Sequence, residues 1–246
     1  MKNTTCIGIL GGVGPQATEY LYKKLISGAV LQHGVRENHE FPRVLIISEP
    51  VIDFISSKEH LPKARKQVLA AVERLILGGV SHLAIASNTV HLLAEEVSEI
   101  CHEHGVEFIS MLEAVARYCR QCGYTSVGFL GSPVTLSSNL YDTALHKEKI
   151  RVIKPSEGDY PELGCIIKKV IADKVTSADE KKFVSLLIQV ASECDAVILG
   201  CTELPVLATA LQLSTPVVDT SSILAEVLLE KYFGTTKQTT TKEQQS

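Results

Sequence analysis

Two α/β halves, each built on a parallel sheet and facing each other across a cleft, are what this sequence predicts. Three observations carry the prediction. Short apolar runs alternate with helical patterns, the signature of parallel strands joined by crossover helices. The pattern then restarts: "TCIGILGGVGPQATEYLYKKL" and "TSVGFLGSPVTLSSNLYDTAL" run alike, with Ile7-Gly8-Ile9-Leu10-Gly11 over Val127-Gly128-Phe129-Leu130-Gly131. Finally, two turns echo each other. "IASNTVH" (Ile85 to His91) and "LGCTELP" (Leu199 to Pro205) each close an apolar strand and open a helix, but one has Ser87 where the other has Cys201.

The elements follow in order. "CIGILGG" reads as a buried strand ending in glycines, and "PQATEYLYKKLISGAV" as a helix with Pro15 in its first turn. "FPRVLIISEP" is the next strand. "HLPKARKQVLAAVERLILGG" is an amphipathic helix stopped by Gly-Gly. "VSHLAIASNT" gives a strand, "VHLLAEEVSEICHEHG" a helix, and "VEFISMLEAVARYCRQCG" a short strand and another helix. After the restart, "KKFVSLLIQVASEC" is a helix leading into the strand "DAVILGCTELP". "TPVVDTSSILAEVLLEKYFG" adds a strand and helix expected to return to the first domain. The expected domains are therefore residues 1–114 with 216–233, and residues 115–215. The polar, low-complexity tail 234–246 is expected to be disordered.

The 246 residues are 45% hydrophobic and 21% charged, with a net charge of −4. Those are the values of an ordinary globular protein. They argue against nucleic acid or an anionic membrane as main partner. No apolar run approaches the roughly 18 residues of a membrane span. The opening "MKNTTCIGILGG" lacks the long apolar core and cleavage site of a signal peptide, so a cytoplasmic protein is expected. Seven cysteines are then mostly free thiols packed as small hydrophobes. "CRQC" has no second pair to complete a zinc site, and the histidines of "CHEHG" are two apart on a helix and point to different faces. No metal is expected.

Gly12-x-Gly14-x-x-Ala17 after the first strand formally matches a dinucleotide fingerprint. However, Glu37 and Glu40, the acidic residues at about the right distance, lie in loop-like sequence rather than at a strand end, and Pro15 removes an N–H from the turn. A tight turn, or glycines that let a small substrate approach the backbone, are the other readings. The "SNTVH" and "GCTELP" turns are strand carboxyl ends, where ligands of open parallel sheets bind. A helix N-terminus there suits a carboxylate and lowers a thiol pKa from about 8.5. Taken alone, Cys201 reads as a buried strand-end thiol and Thr202 as a helix cap. The matching turn in the other half favours a paired site instead, with Ser87 and Cys201 on opposite walls of one cleft.

"GGVGPQAT", "SNTVH", "GFLGSPVTLSSNLY" and "ILGCTELP" together resemble the aspartate/glutamate racemase family, whose pattern is GGxGPxAT, then CNTxH, then GCTEL. The resemblance spans about Ile7 to Asp219. It implies two α/β domains, no pyridoxal phosphate or metal, a small acidic amino acid as substrate, D-amino-acid chemistry and, as in many members, a homodimer. One cysteine would take the α-proton on one face and the other return a proton on the opposite face. Asn88, Thr89, Thr135 and Thr202 would then hold the α-carboxylate near Gly12. Arg43 would pair with the side-chain carboxylate, as a guanidinium fork can, with Lys169 a weaker candidate. Glu203 would orient the thiol or bind the ammonium, unless it only compensates a helix N-terminus.

Ser87 departs from the pattern, and an alcohol is a far weaker acid than a thiol. Three explanations stay open: a natural serine in a lopsided racemase, an introduced serine that traps substrate, or a chemistry needing one thiol only. The last would be protonation of the enediolate left by decarboxylation, as in the related arylmalonate decarboxylases. A binding protein that kept the cleft and lost turnover is a further alternative. His91, four residues after Ser87, either orients or activates its hydroxyl or serves packing between the domains.

Overall fold

The duplication read from the sequence is a duplication of sheet topology. The computed structural model describes residues 5–54, 58–201, 204, 207 and 214–234. Its first half runs β1 (Ile7–Gly11), α1 (Pro15–His33), β2 (Val44–Ser48), α2 (Leu61–Leu77), β3 (His82–Ile85), α3 (Ala94–Glu103), β4 (Glu107–Ile109) and α4 (Met111–Gln121). The second half runs β5 (Ser126–Gly131), α5 (Pro133–Ser137), α6 (Leu140–Lys147), β6 (Arg151–Ile153), α7 (Tyr160–Ile171), α8 (Ser177–Ala191), β7 (Ala196–Gly200), β8 (Val217–Asp219) and α9 (Thr220–Phe233). The sheets have the orders β2-β1-β3-β4 and β6-β5-β7-β8, and every pairing is parallel. β1 thus corresponds to β5, and β3 to β7.

Side-chain alternation explains why these strands hold both faces of a sheet. In β1, Ile7 and Ile9 enter one core and Leu10 the other; in β3, Ala84 joins the first, and Leu83 and Ile85 the second. The second core lies under α2, whose buried stripe is Ala64, Val68, Ala71, Val72 and Leu75, a helical repeat. The first core is shared: Ile7, Ile9 and Ala84 belong to the same cluster as Phe129, Val197 and Leu199. The two halves are therefore packed on common apolar residues, which holds their strand ends in fixed relation.

Local signals set several element ends. Pro15 sits in the first turn of α1, and Gly34 ends that helix at φ 70° with its N–H donated to Ala29 O, the left-handed stop that glycine accepts. Thr176 and Asp179 form a capping box at α8. Asp219 caps α9 by accepting from the N–H groups of Ser221 and Ser222, both at 3.1 Å.

Three sequence expectations change. The segment 216–233 does not return whole to the first half. β8 completes the second sheet, with Val197 opposite Val217, because β7 would otherwise keep an unpaired buried edge. Only α9 turns back, packing on α1 and α4, where Tyr20 OH donates to Asp219 Oδ2 at 2.6 Å. The boundary expected at 114/115 falls inside α4. The helix expected from Val90 begins instead with a 3-10 turn, Thr89–Leu93, before α3. β6 is a three-residue, partly exposed edge strand, too short to announce itself by alternation. The expected tail, apart from Gly234, lies outside the described residues. Among these residues, no helix is long and apolar enough to cross a membrane.

Candidate active site

Ser87 and Cys201 lie at the carboxyl ends of the equivalent strands β3 and β7. Both are buried, at 7% and 9% exposure, so a group meeting them would be largely out of water. No cysteine is in a disulfide. Burial raises the Cys101 thiol to about 11 and the Cys119 thiol to about 12, which makes them inert packing residues and leaves "CRQC" without a reactive pair. Cys201 alone stands at a strand end of the kind the sequence marked.

The first-half turn is tied down atom by atom. The Met111 N–H donates to His91 Nε2 at 3.1 Å, and His91 Nδ1 is 2.8 Å from Ser87 O. An amide can only donate and a carbonyl only accept, so the ring carries its proton on Nδ1 and is neutral. Burial pulls its pKa down from 6.5 to about 4. Both nitrogens are thereby used on backbone. His91 fixes the peptide of Ser87 and has no nitrogen left to activate its hydroxyl.

Asn88 joins three segments. Tyr141 OH, from α6, donates to Asn88 Oδ1 at 2.5 Å, and Asn88 Nδ2 donates to Thr220 Oγ1 at 3.5 Å. Thr89 reaches across to the second half, with its hydroxyl 3.0 Å from Ser132 Oγ and 2.9 Å from Thr135 Oγ1, which are 2.9 Å from each other. This triangle has three hydroxyl protons for three edges, so an arriving carboxylate oxygen would draw protons from edges already made. Ser132 also caps α5 by accepting from the Thr135 N–H at 3.3 Å. The structure thus brings Asn88, Thr89 and Thr135 into one buried interdomain network. Ser132, Tyr141 and Thr220 were not foreseen as part of it. Ser132-Pro133-x-Thr135 is a capping sequence that could have signalled the first; nothing local signals the other two.

Gly12 has φ +93°, and a side chain there would overlap Glu49 O. Its N–H is occupied by Thr18 Oγ1 at 3.0 Å, a turn that packs helix against strand. Gly12, Val13 and Gly14 also line a cavity of about 450 Å³ that is closed by Val51 and Asp53 from the first half and by Ile167, Lys168 and Ile171 of α7 from the second. A larger cavity of about 710 Å³ lies between α5 and α7; neither cavity is lined by Ser87 or Cys201, and the smaller one is the one that the strand-end Gly12 borders.

The two expected cations are elsewhere. Arg43 is exposed and precedes β2, where its carbonyl accepts from the Ile7 N–H at 2.9 Å. That is the amino end of a parallel sheet. It lies roughly 16 Å, five residues of extended chain, from the carboxyl end where Gly12 and Ser87 stand. Lys169 points to α8 and pairs with Asp179 at 2.5 Å. Its neighbour Lys168 faces the cavity, 3.8 Å from Asp53; one helix step, about 100°, separates the two fates. Thr202 and Glu203 lie outside the described residues.

Two parallel α/β sheets of one topology share a core and place the buried Ser87 and Cys201 after equivalent strands, which defines a pseudo-symmetric α/β protein with its candidate site at the strand ends. Residues 10–228 match the Asp/Glu/Hydantoin racemase family. The chain belongs to that family and, by that membership, is an amino-acid racemase. It is 22% identical over 228 residues, 93% of this chain and 98% of the relative, to the broad specificity amino-acid racemase RacX of Bacillus subtilis (strain 168). It is 26% identical over 187 residues, 69% of this chain and 65% of the relative, to a glutamate racemase of Acidothermus cellulolyticus. The crystal structure of an aspartate racemase homologue from Pyrococcus horikoshii OT3 superposes with a TM-score of 0.73 at 30% identity, covering 93% of this chain and 99% of that one.

Proposed function

We propose that this chain inverts the α-carbon of an amino acid without pyridoxal phosphate, with Cys201 as the competent acid/base and Ser87 as a weak partner on the opposite face. The observation that supports this most is the equivalence of β3 and β7, with Ser87 and Cys201 buried at their ends. The thiolate of Cys201 takes the α-proton, and the carbon's electron pair moves into the carboxylate as an enediolate. The hydroxyl triangle and the Asn88 amide stabilise that charge by donating hydrogen bonds to the carboxylate. The opposite face is reprotonated from the Ser87 hydroxyl or through it from water, which is slow because the alcohol is a poor acid. Both directions are accelerated by the same factor, so equilibrium is untouched, but initial rates differ between enantiomers.

Relatives are named for glutamate, for aspartate and for broad specificity, so their names do not fix the side chain. Aspartate and glutamate, the substrates the resemblance implies, need a counter-ion that Arg43 and Lys169 do not supply from their positions. A second reading is favoured by the single strand-end thiol: decarboxylation of a substituted malonate, with Cys201 protonating the enediolate. Loss of the α-proton signal of an amino acid in heavy water, followed by proton NMR, supports racemisation. Carbon dioxide release from malonates with no α-exchange, in this chain and in Ser87→Cys, supports the second reading. Binding of an amino acid with neither reaction leaves a protein that lost turnover.

A further inference from the structure

We propose that Lys154 is a positioning residue for the reaction, setting the hydrogen bonds by which α5 and α6 hold the Asn88–Thr89 turn. The inference rests on the racemase reading of that turn and concerns what keeps it in place. The hydroxyls of Thr135, on α5, and Thr89 are 2.9 Å apart, and Tyr141, on α6, donates to Asn88 Oδ1 at 2.5 Å. α5 ends at Ser137 and α6 begins at Leu140. Asn139, between them, has φ 55°, a left-handed conformation that asparagine accepts more readily than most residues. Lys154 spans this junction. It donates to Leu136 O and to Asn139 Oδ1, each at 3.0 Å, and pairs with Asp142 Oδ2 at 2.5 Å.

An ammonium has three N–H donors and no acceptor. Lys154 spends one on α5, one on the turn residue and one on the first turn of α6. Its own base is fixed by the sheet, because it directly follows β6, which pairs with Ser126, Val127 and Gly128 of β5. The side chains of Lys154 and Asp142 are only 15% and 23% exposed. Asp142 Oδ2 is buried, with no hydrogen-bond partner among the described residues beyond that ion pair. Water therefore replaces a lost member of this cluster poorly. α5 has five residues, too few to hold a helix by itself, so its orientation is set at its ends. Ser132 caps one end, and Lys154 fixes the other. Movement of α5 displaces Thr135, and movement of α6 displaces Tyr141. A shift of about 1 Å in groups that orient a substrate is enough to lower a rate by a large factor.

The test is α-proton exchange in heavy water, read by proton NMR for whichever of L-aspartate, L-glutamate, L-leucine and L-methionine exchanges fastest, together with the Tm of each variant. Lys154→Met should lower kcat/KM by at least about tenfold, mostly through kcat, as expected when orientation is lost. Its Tm should fall too, because Asp142 is left unpaired. Adding Asp142→Asn removes that stranded charge. The double variant should therefore regain most of the lost Tm while exchange stays slow, since Leu136 O and Asn139 are still unheld. Exchange that recovers along with Tm, a change confined to KM, or no change in Lys154→Met overturns the positioning role. Should Lys154→Met fail to fold, the double variant decides alone, and a loss of less than about tenfold overturns the proposal. Should the natural chain exchange too slowly to compare, the same series is read in Ser87→Cys. Silence toward all four amino acids in the natural chain and in Ser87→Cys overturns the racemase reading itself, and this inference with it.

Discussion

The turn after β3 and the turn after β7 occupy the same place in two sheets of the same order, yet different groups surround them. After β3, the Ser87 carbonyl is held by His91, Asn88 is held by Tyr141 and Thr220, and Thr89 by Ser132 and Thr135. After β7, Gly200 lies directly on the Phe129 ring, where any side chain would overlap it, and Cys201 follows. The first turn is polar and carries an alcohol; the second carries a thiol beside an aromatic ring, with the Cys201 carbonyl accepting from the Leu204 N–H at 3.1 Å. The duplicated topology supplies two equivalent positions, and under the proposed mechanism they divide the labour: one wall would bind and orient, the other move the proton.

Breaking the reactive wall should have the largest effect. Cys201→Ala is expected to lower α-proton exchange by at least about 10³-fold with substrate affinity retained; exchange within tenfold of the natural chain would remove the thiol from the mechanism. Restoring symmetry comes next. Ser87→Cys should raise racemisation about 10²-fold and bring the initial rates of the two enantiomers together, which circular dichroism of the substrate follows directly; unchanged rates would mean that return of the proton does not limit turnover.

The fixation of the first wall can be loosened through pH. His91 is neutral in the fold, with a pKa pulled from 6.5 to about 4. Below about pH 6.5 the unfolded chain takes up a proton there that the folded chain refuses until about pH 4, so stability falls as pH drops through that window. The loss attributable to this site is about 2 kcal/mol at pH 4.5. Urea denaturation at pH 7 and 4.5 should show it in the natural chain, and His91→Gln should lack that part of the slope. The smallest effect is expected from Tyr141→Phe, which removes the 2.5 Å bond to Asn88 and keeps the ring against Phe129, whose centroid is 4.5 Å away. Stability should drop by about 1 kcal/mol, read as a shift in Tm, while kcat falls more than KM rises because Asn88 loses its orientation. An equal Tm with unchanged kcat would detach Asn88 from the reaction.

Much of this architecture is legible in the chain because it is local. Pro15, the Gly78-Gly79 stop, the twin "IGILG" and "VGFLG" strands and the SNT/GCT echo each act over a few residues, where periodicity and turn chemistry decide. The position of Arg43 is not legible, for the opposite reason. Its residue type suits a carboxylate, but only the parallel register of β1 and β2 shows that "FPR" begins a strand at the end of the sheet opposite Gly12 and Ser87. Lys168 and Lys169 differ by one helix step, and no pattern in "IIKKVI" selects which one meets Asp53 and which meets Asp179. The segment 216–233 reads as one strand–helix unit, yet the open edge of β7 takes the strand and the surface of α1 takes the helix.

By itself, then, the sequence determined the α/β class, the duplication, the family and the two strand ends that carry Ser87 and Cys201, since hydrophobic periodicity and short turn motifs are properties of neighbouring residues. Tertiary structure alone decided which polar groups converge. The union of Thr89 with Thr135 across 46 positions, of Asn88 with Tyr141 across 53, and of Asn88 with Thr220 across 132 depends on two sheets packing on a common core.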